Sequence, residues 1–349
     1  MKTKFDFILV GQGLAGTLLS HFLTKNGKSV FIIDHYNSSS SSNIAAGIIH
    51  PITGRRLVKS LLLDTANTIA KNTYQEIEEK FGQQFFQDTS ILEIYTSIKN
   101  RNDWIALTAD VEMDYLIDHE LKANALKSVE MPYGGMVLKP TGFLHIKKLL
   151  SAYRSYFEIQ QCISNDNFSF DNLVLKENEV EYNGIIADKI IFCEGFHAYQ
   201  NPYFNTLPYQ FAKGEILILE CPGLSEEFII NKSIYIQPLS NQKFRVGSTY
   251  DWEKLDFEPT NGAREKLTEQ FKSVVSLPFE VVEHHAAVRP TVKGRRPLMG
   301  MHPLLKQIGI FNGLGTKGVL LAPYLANHFT EHLLLNTALR SEVSIESYF

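Results

Sequence analysis

The sequence predicts an α/β protein: a Rossmann-like domain on a parallel sheet, interleaved along the chain with an α+β domain built on a mostly antiparallel sheet. Three observations carry this. Residues 5–10, FDFILV, are a short and mainly apolar run that stops at Gly11, as a strand buried on both faces of a parallel sheet does. Residues 14–25 then follow helical spacing and a second run, 29–33, ends on Asp34, which completes a βαβ unit. Beyond Phe85 the pattern changes to short alternating strands, and near the C-terminus residues 308–311 pass through a glycine-rich turn into a helix from Val319 to about Leu335. With 349 residues, 44% hydrophobic and 21% charged, the chain is long enough for two compact bodies.

The elements follow in order. Five serines at 38–42 cannot pack, so they read as a loop that is mobile or ordered by a ligand, followed by the small-residue segment 43–47. A helix is expected from about Leu57 to Lys80, a strand over 90–95 and a helix near Asp103. Runs at 158–162, 173–176, 179–182 and 189–192 read as a small β insertion returning to the first domain at Cys193-Glu194-Gly195. Alternating strands reappear at 215–220, 233–237 and 243–249, and the chain returns to the first domain near Val281. The expected partition is 1–85, 140–205 and 283–349 for the first domain, with 86–139 and 206–282 for the second.

Charge and cysteine content exclude several classes. A net charge of −4 and a pI near 6.3 supply no global basic field for nucleic acid or anionic membranes, although a local patch is compatible with them. The three cysteines, Cys162, Cys193 and Cys221, have no CxxC or zinc-ligand spacing and read as reduced thiols. His284 and His285 sit in an expected strand and so face opposite sides, which leaves no metal site. No apolar run approaches the ~18–20 residues of a spanning helix, and no secretory leader is evident, so the expectation is a cytoplasmic protein.

Gly11-Gln12-Gly13-Leu14-Ala15-Gly16 is GxGxxG between a strand and a helix. The first glycine permits the tight turn, the second lets backbone approach a pyrophosphate, and the third lets helix and strand pack closely, while the helix N-terminus offers N–H groups to the anion. Asp34, 18 residues after Gly16 and followed by His35, stands where a carboxylate accepts ribose hydroxyls and repels a 2′-phosphate, so NAD or FAD is expected over NADP. A second glycine cluster, Gly313-Leu314-Gly315-Thr316-Lys317-Gly318, again joins a strand to a helix. In FAD the reactive ring lies far from the adenine and gains negative charge at N1–C2=O on reduction. A second helix N-terminus suits it, and a nicotinamide cofactor has no equal need.

These residues carry a resemblance. Residues 10–16, 41–48 (SSNIAAGI, with Ser41, Ser42, Ala46, Gly47 and Ile48), 190–195, 213–215, 235–238, 246–249, 287–290 and 313–323 resemble, in order, the landmarks of the D-amino-acid oxidase and glycine oxidase family. The resemblance implies non-covalently bound FAD, dehydrogenation of C–N bonds, and the interleaved two-domain fold. Segment 314–323 and Ile49-His50-Pro51 are also similar to the flavin domain of the bifunctional enzyme that matures carboxymethylaminomethyl-uridine in tRNA. Two departures stand out: Cys193-Glu194 where the family has small residues, and Leu314-Gly315-Thr316-Lys317 where it often has a His or Arg.

Arg289 matches the family's substrate arginine; its planar guanidinium fits an amino-acid carboxylate bidentately and it also borders the cofactor. Tyr235 matches a pocket position, and Tyr250 falls where the next strand end faces the cavity. Lys317 would place positive charge near the flavin N1–C2=O edge, and His50 is expected to pack rather than to attach the flavin. Gly54-Arg55-Arg56 and Gly294-Arg295-Arg296-Pro297 read as solvated loops or phosphate contacts. The substrate expected is a small amine or amino acid, with oxygen, a quinone or another carrier as acceptor. Two alternatives stay open, a tRNA-modifying flavoenzyme and a flavin-binding protein without catalysis.

Overall fold

The structure, a computed structural model, describes residues 3–54 and 56–349. Its first sheet is centred on Lys4–Val10, which pairs in parallel with Val30–Ile33 on one side and Ile185–Phe192 on the other. Ile308–Asn312 extends it in parallel beside the second half of Ile185–Phe192. The first half of that strand pairs antiparallel with Val180–Tyr182. Alternate side chains of the central strand enter different cores: Phe7 and Leu9 pack with the helices Leu14–Lys25 and Gly318–Leu335, Ile8 and Val10 with Phe192 and Phe204. Burial on both faces explains why the strand reads as a run rather than an alternation.

The second sheet has eight strands in the order Glu280–Arg289, Ala212–Glu220, Lys243–Gly247, Tyr235–Ser240, Phe228–Asn231, Ser90–Ile94, Gly135–Leu138, Ile117–Leu121. All neighbours are antiparallel except Phe228–Asn231 with Ser90–Ile94. Helix Asn261–Lys272 packs Leu267 and Phe271 into one core of this sheet, with Leu217, Phe244 and Val246. Tyr235, Gln237, Arg245 and Arg289 line the cavity described below. The boundary expected at 282/283 falls inside Glu280–Arg289, all of which lies beside Ala212–Glu220; we propose to place it after Arg289.

Two expected elements are corrected. The helix expected from Leu57 begins at Leu63, because the hairpin of Ile52–Thr53 and Val58–Lys59 comes first. Residues 158–162 are not a strand: they close the helix Ile146–Ile159, and only Ile163–Ser164 pairs with the sheet. That helix buries Ile146, Leu149, Leu150, Tyr153 and Phe157, a helical spacing overlooked beside its polar residues. The serine loop contains one helical turn, Ser41–Ile44. In the last helix Pro323 cannot donate to the Val319 carbonyl four residues back, and the buried hydroxyl of Tyr74 donates to that oxygen instead, at 2.7 Å. Among the described residues no helix is long and apolar enough to cross a membrane.

Candidate active site

A single cavity of about 1850 Å³ runs between the two sheets and is lined by both glycine clusters, roughly 300 residues apart in sequence. At one end Gly11 has φ +102°, and a Cβ there would lie 2.5 Å from the Cys193 carbonyl oxygen. A Cβ on Gly16 would lie 1.9 Å from the Gly11 oxygen, so helix and strand meet in contact only because both are glycine. Leu14–Lys25 has no side-chain cap from its own N-cap, Gly13; the Ser42 hydroxyl accepts from the Leu14 N–H at 3.1 Å and ties the serine loop to the helix start. Ala15, His35, Ser41 and Gly47 line the same wall.

Asp34 is not a free carboxylate. It accepts from the Gln12 N–H at 2.8 Å and from Arg154 Nη1 at 2.8 Å, and Arg154 also reaches the Gln12 side chain at 3.0 Å. Arg154 comes from Ile146–Ile159, the helix that sequence reading missed, so nothing nominated it. Discrimination against a 2′-phosphate therefore cannot rest on net charge at Asp34, since a guanidinium stands beside it.

The segment after the serine loop is held by the second sheet. Gln237 donates to the Ala46 carbonyl at 3.0 Å, and Arg245 reaches the Ala45 carbonyl at 3.3 Å and the Gln237 oxygen at 3.2 Å. Arg245 has no carboxylate partner within ion-pair distance among the described residues, and its burial brings the guanidinium down to about 10. Gly47, at φ +74°, has no room for a Cβ, which would lie 2.1 Å from the Leu144 oxygen. His50 uses both ring nitrogens: Nδ1 accepts from the Ile52 N–H at 3.2 Å, so Nε2 carries the proton and donates to Glu93 at 2.7 Å. Asn231 donates to the same Glu93 oxygen at 2.6 Å, and the His50 ring packs edge-on against Tyr235. This is the packed role expected of His50.

Arg289 ends the strand Glu280–Arg289, and its guanidinium occupies the space left by Gly214, where a Cβ would lie 2.0 Å from Nη2. It donates to the Lys213 carbonyl, the Ser248 hydroxyl and the Thr249 carbonyl, and lies 4.2 Å over the ring of Tyr250. All these partners are neutral. Burial pulls its pKa down, and no carboxylate pairs with it among the described residues. Lys213 and Glu215, on either side of Gly214, turn away into a structural network: Lys213 holds Asp256 and the Glu258 carbonyl, Glu215 holds Thr260 and His284. Tyr235 lines the cavity, its phenol raised well above its ordinary range by burial. Tyr250 is exposed at the mouth and stacks on the exposed Trp252, a residue not singled out from sequence.

At the far end Gly315–Lys317 forms a 3₁₀ turn that leads into Gly318–Leu335, whose N-terminus has no side-chain cap and no acid in its first turn. Gly313, Leu314, Thr316 and Gly318 line the cavity with them. Lys317 donates to Thr53 at 3.2 Å, and burial together with Arg295 and Arg296 lowers its pKa. Gly54 lines the cavity, and Arg55 lies outside the described residues. Ile48 and Cys193 also line the cavity, the thiol pushed up by burial and so unreactive. His284 and His285 pair separately with Glu215 and Glu283, and no group of three metal-ligating side chains forms among the described residues.

The cavity thus offers two helix N-termini, a glycine cradle and an anion-receptive end, the donor set that a dinucleotide with a distant redox ring requires. Comparison with known proteins agrees. A glycine oxidase from Bacillus licheniformis is 22% identical over 96% of this chain and 95% of its own length. The bifunctional tRNA 5-methylaminomethyl-2-thiouridine biosynthesis protein MnmC of Legionella pneumophila is 21% identical over 86% of this chain, which spans 46% of that longer protein. The crystal structure of iminodiacetate oxidase from Chelativorans sp. BNC1 superimposes with a TM-score of 0.81 at 20% identity, covering 98% of both chains. The sequence pattern of the FAD-dependent oxidoreductases matches residues 6–332, so by nearly its whole length this FAD-binding chain belongs to that family of enzymes.

Proposed function

We propose that the protein dehydrogenates the C–N bond of an amino acid or a secondary amine that carries a carboxylate. The observation that carries this reading is Arg289: a guanidinium with neutral partners only, held over Tyr250 in the same cavity as the second glycine cluster. Residues 11–16 with Asp34, the 41–48 segment, 193–195 and 313–318 would hold FAD, which when bound supplies the hydride acceptor N5. Arg289 would take the substrate carboxylate bidentately, and Tyr235, kept protonated by burial, would donate beside it. Arg295, Arg296 and Lys317 disfavour a further positive charge and so favour the neutral amine that hydride loss requires. His50 has no free nitrogen to act as base, so the amine proton would leave to solvent.

The deciding experiment is anaerobic reduction of the bound flavin by a panel of amino acids and N-substituted glycines, followed by admission of air. Bleaching by carboxylate-bearing amines supports the reading; bound FAD that no amine reduces points to a protein without catalysis. Reoxidation by air separates oxygen from a quinone or carrier as acceptor.

A second reading has its own support. The exposed Arg295 and Arg296 carry no ion pair among the described residues and line the same cavity as the exposed stack of Tyr250 and Trp252, and cations together with open aromatic faces are what single-stranded nucleic acid requires. The substrate would then be a carboxymethyl-amine on tRNA, for which the Arg289 argument is unchanged. Binding of tRNA that weakens steeply with added salt would favour it.

A further inference from the structure

Glu194 directly follows Cys193 at the end of Ile185–Phe192, and its amide nitrogen lies 3.5 Å from where a Cβ on Gly11 would sit, so it borders the dinucleotide turn. It lines the cavity, and its carboxyl is held by a single donor, Asn201 Nδ2, at 2.7 Å on Oε2. Asn201 is itself fully buried, and Oε1 accepts no hydrogen bond from the described residues. The surrounding titratable groups bring no compensating cation. Cys193 is a buried thiol, Tyr209 a buried phenol whose hydroxyl has no partner, and His197 an exposed ring on the following 3₁₀ turn. Arg154, also on the cavity wall, is engaged by Asp34. Burial raises the Glu194 carboxyl to about 7, with the Asn201 bond opposing. The site prepared for a pyrophosphate dianion therefore has a carboxyl on its wall, and two anions there oppose each other unless one is neutralised.

We propose that FAD uptake is coupled to protonation of Glu194: the apoprotein ionises this carboxyl, and each FAD that binds draws one proton from solvent, which Glu194 keeps as a neutral donor beside the cofactor. The inference rests on FAD as the resident cofactor. No covalent bond changes; one proton moves from solvent to carboxylate.

Titration of apoprotein with FAD in a calorimeter, from about pH 6 to pH 9 in two buffers of different ionisation enthalpy, tests the coupling. Above neutrality the wild type should take up close to one proton per FAD, and its Kd should rise towards tenfold per pH unit. Glu194→Gln, which keeps shape and hydrogen bonding, should bind FAD with no such uptake and with a flat Kd. Wild-type binding without buffer-dependent heat and with a flat Kd overturns the proposal. So does a pH dependence that survives in Glu194→Gln, which would move the proton to His35 or His197 on the same cavity wall. Absence of FAD binding at every pH in both proteins would instead overturn the cofactor reading. Should the Gln variant not fold, Glu194→Ala takes its place in the same titration: loss of the proton uptake supports the assignment, and its survival overturns it.

Discussion

Removing the Arg289 guanidinium should damage catalysis in two separable ways. It deprives the Lys213 carbonyl, the Ser248 hydroxyl and the Thr249 carbonyl of a donor and empties the space beside Gly214, a structural loss felt with any substrate. It also removes the partner of a substrate carboxylate. A bidentate pair offers two charge-assisted hydrogen bonds of roughly 1.5–3 kcal/mol each, so the specific part should be about 3–6 kcal/mol. At about 1.4 kcal/mol per tenfold, that is a hundred- to a thousandfold or more in kcat/KM. The assay is a cycle of protein against substrate: wild type and Arg289→Ala, each with an N-substituted glycine and with the matching amine that lacks the carboxylate. Structural damage cancels between the two substrates and the carboxylate term remains. Arg289→Lys should recover part of that term, because an ammonium keeps the charge and loses the fork. Equal losses on both substrates would refute the assignment and leave Arg289 as a strut between strand ends.

Gly16→Ala should yield apoprotein or insoluble protein, because a Cβ 1.9 Å from the Gly11 oxygen must part helix from strand; flavin content of the purified variant measures it. Arg154→Met should raise the Kd for FAD by about tenfold to a hundredfold, on the scale of ~1–3 kcal/mol for a lost charge-assisted bond, as read by flavin fluorescence during reconstitution. Lys317→Met should lower the flavin midpoint potential by tens of millivolts, where about 30 mV corresponds to 1.4 kcal/mol for two electrons; in the wild type this contribution should fade as pH rises, because Lys317 titrates below its ordinary value. Acid precipitation should release all the FAD and leave colourless protein, since both His50 nitrogens are engaged.

The parts of this molecule legible in sequence are those where backbone itself is constrained. Gly11, Gly16 and Gly47 have no room for a Cβ, and such positions advertise themselves. Runs buried on both faces, such as Lys4–Val10, are equally plain. The helix Ile146–Ile159 was not, because Lys147, Lys148, Ser151 and Ser155 interrupt its apolar spacing, and with it went Arg154. Arg245 and Trp252 escaped for another reason. Arg245 owes its place to strand register, opposite Gln237 across the sheet, which cannot be read from either strand alone, and Trp252 lies beyond the strands in a bend where it stacks on Tyr250. Glu194 was visible as an oddity, but its consequence depended on the burial around it.

Register and burial also resolve an apparent conflict between charge and chemistry. The chain carries a net charge of −4, yet the described residues lining the cavity include eight basic side chains, Lys59, Lys147, Arg154, Arg245, Arg289, Arg295, Arg296 and Lys317, against three acidic ones, Asp34, Asp166 and Glu194. Asp34 is spent on Arg154, Lys59 on Asp64 outside the cavity wall. The remaining cations face a space with low dielectric walls, where their field is screened far less than on an open surface. A dianionic cofactor, a flavin that becomes negative on reduction and a substrate carboxylate are three anions brought into one cavity, and the surplus of cations matches them. The acidic exterior therefore says little about the ligand, and Glu194 is the exception, a buried carboxyl whose charge, on the proposal above, is lost as the cofactor binds.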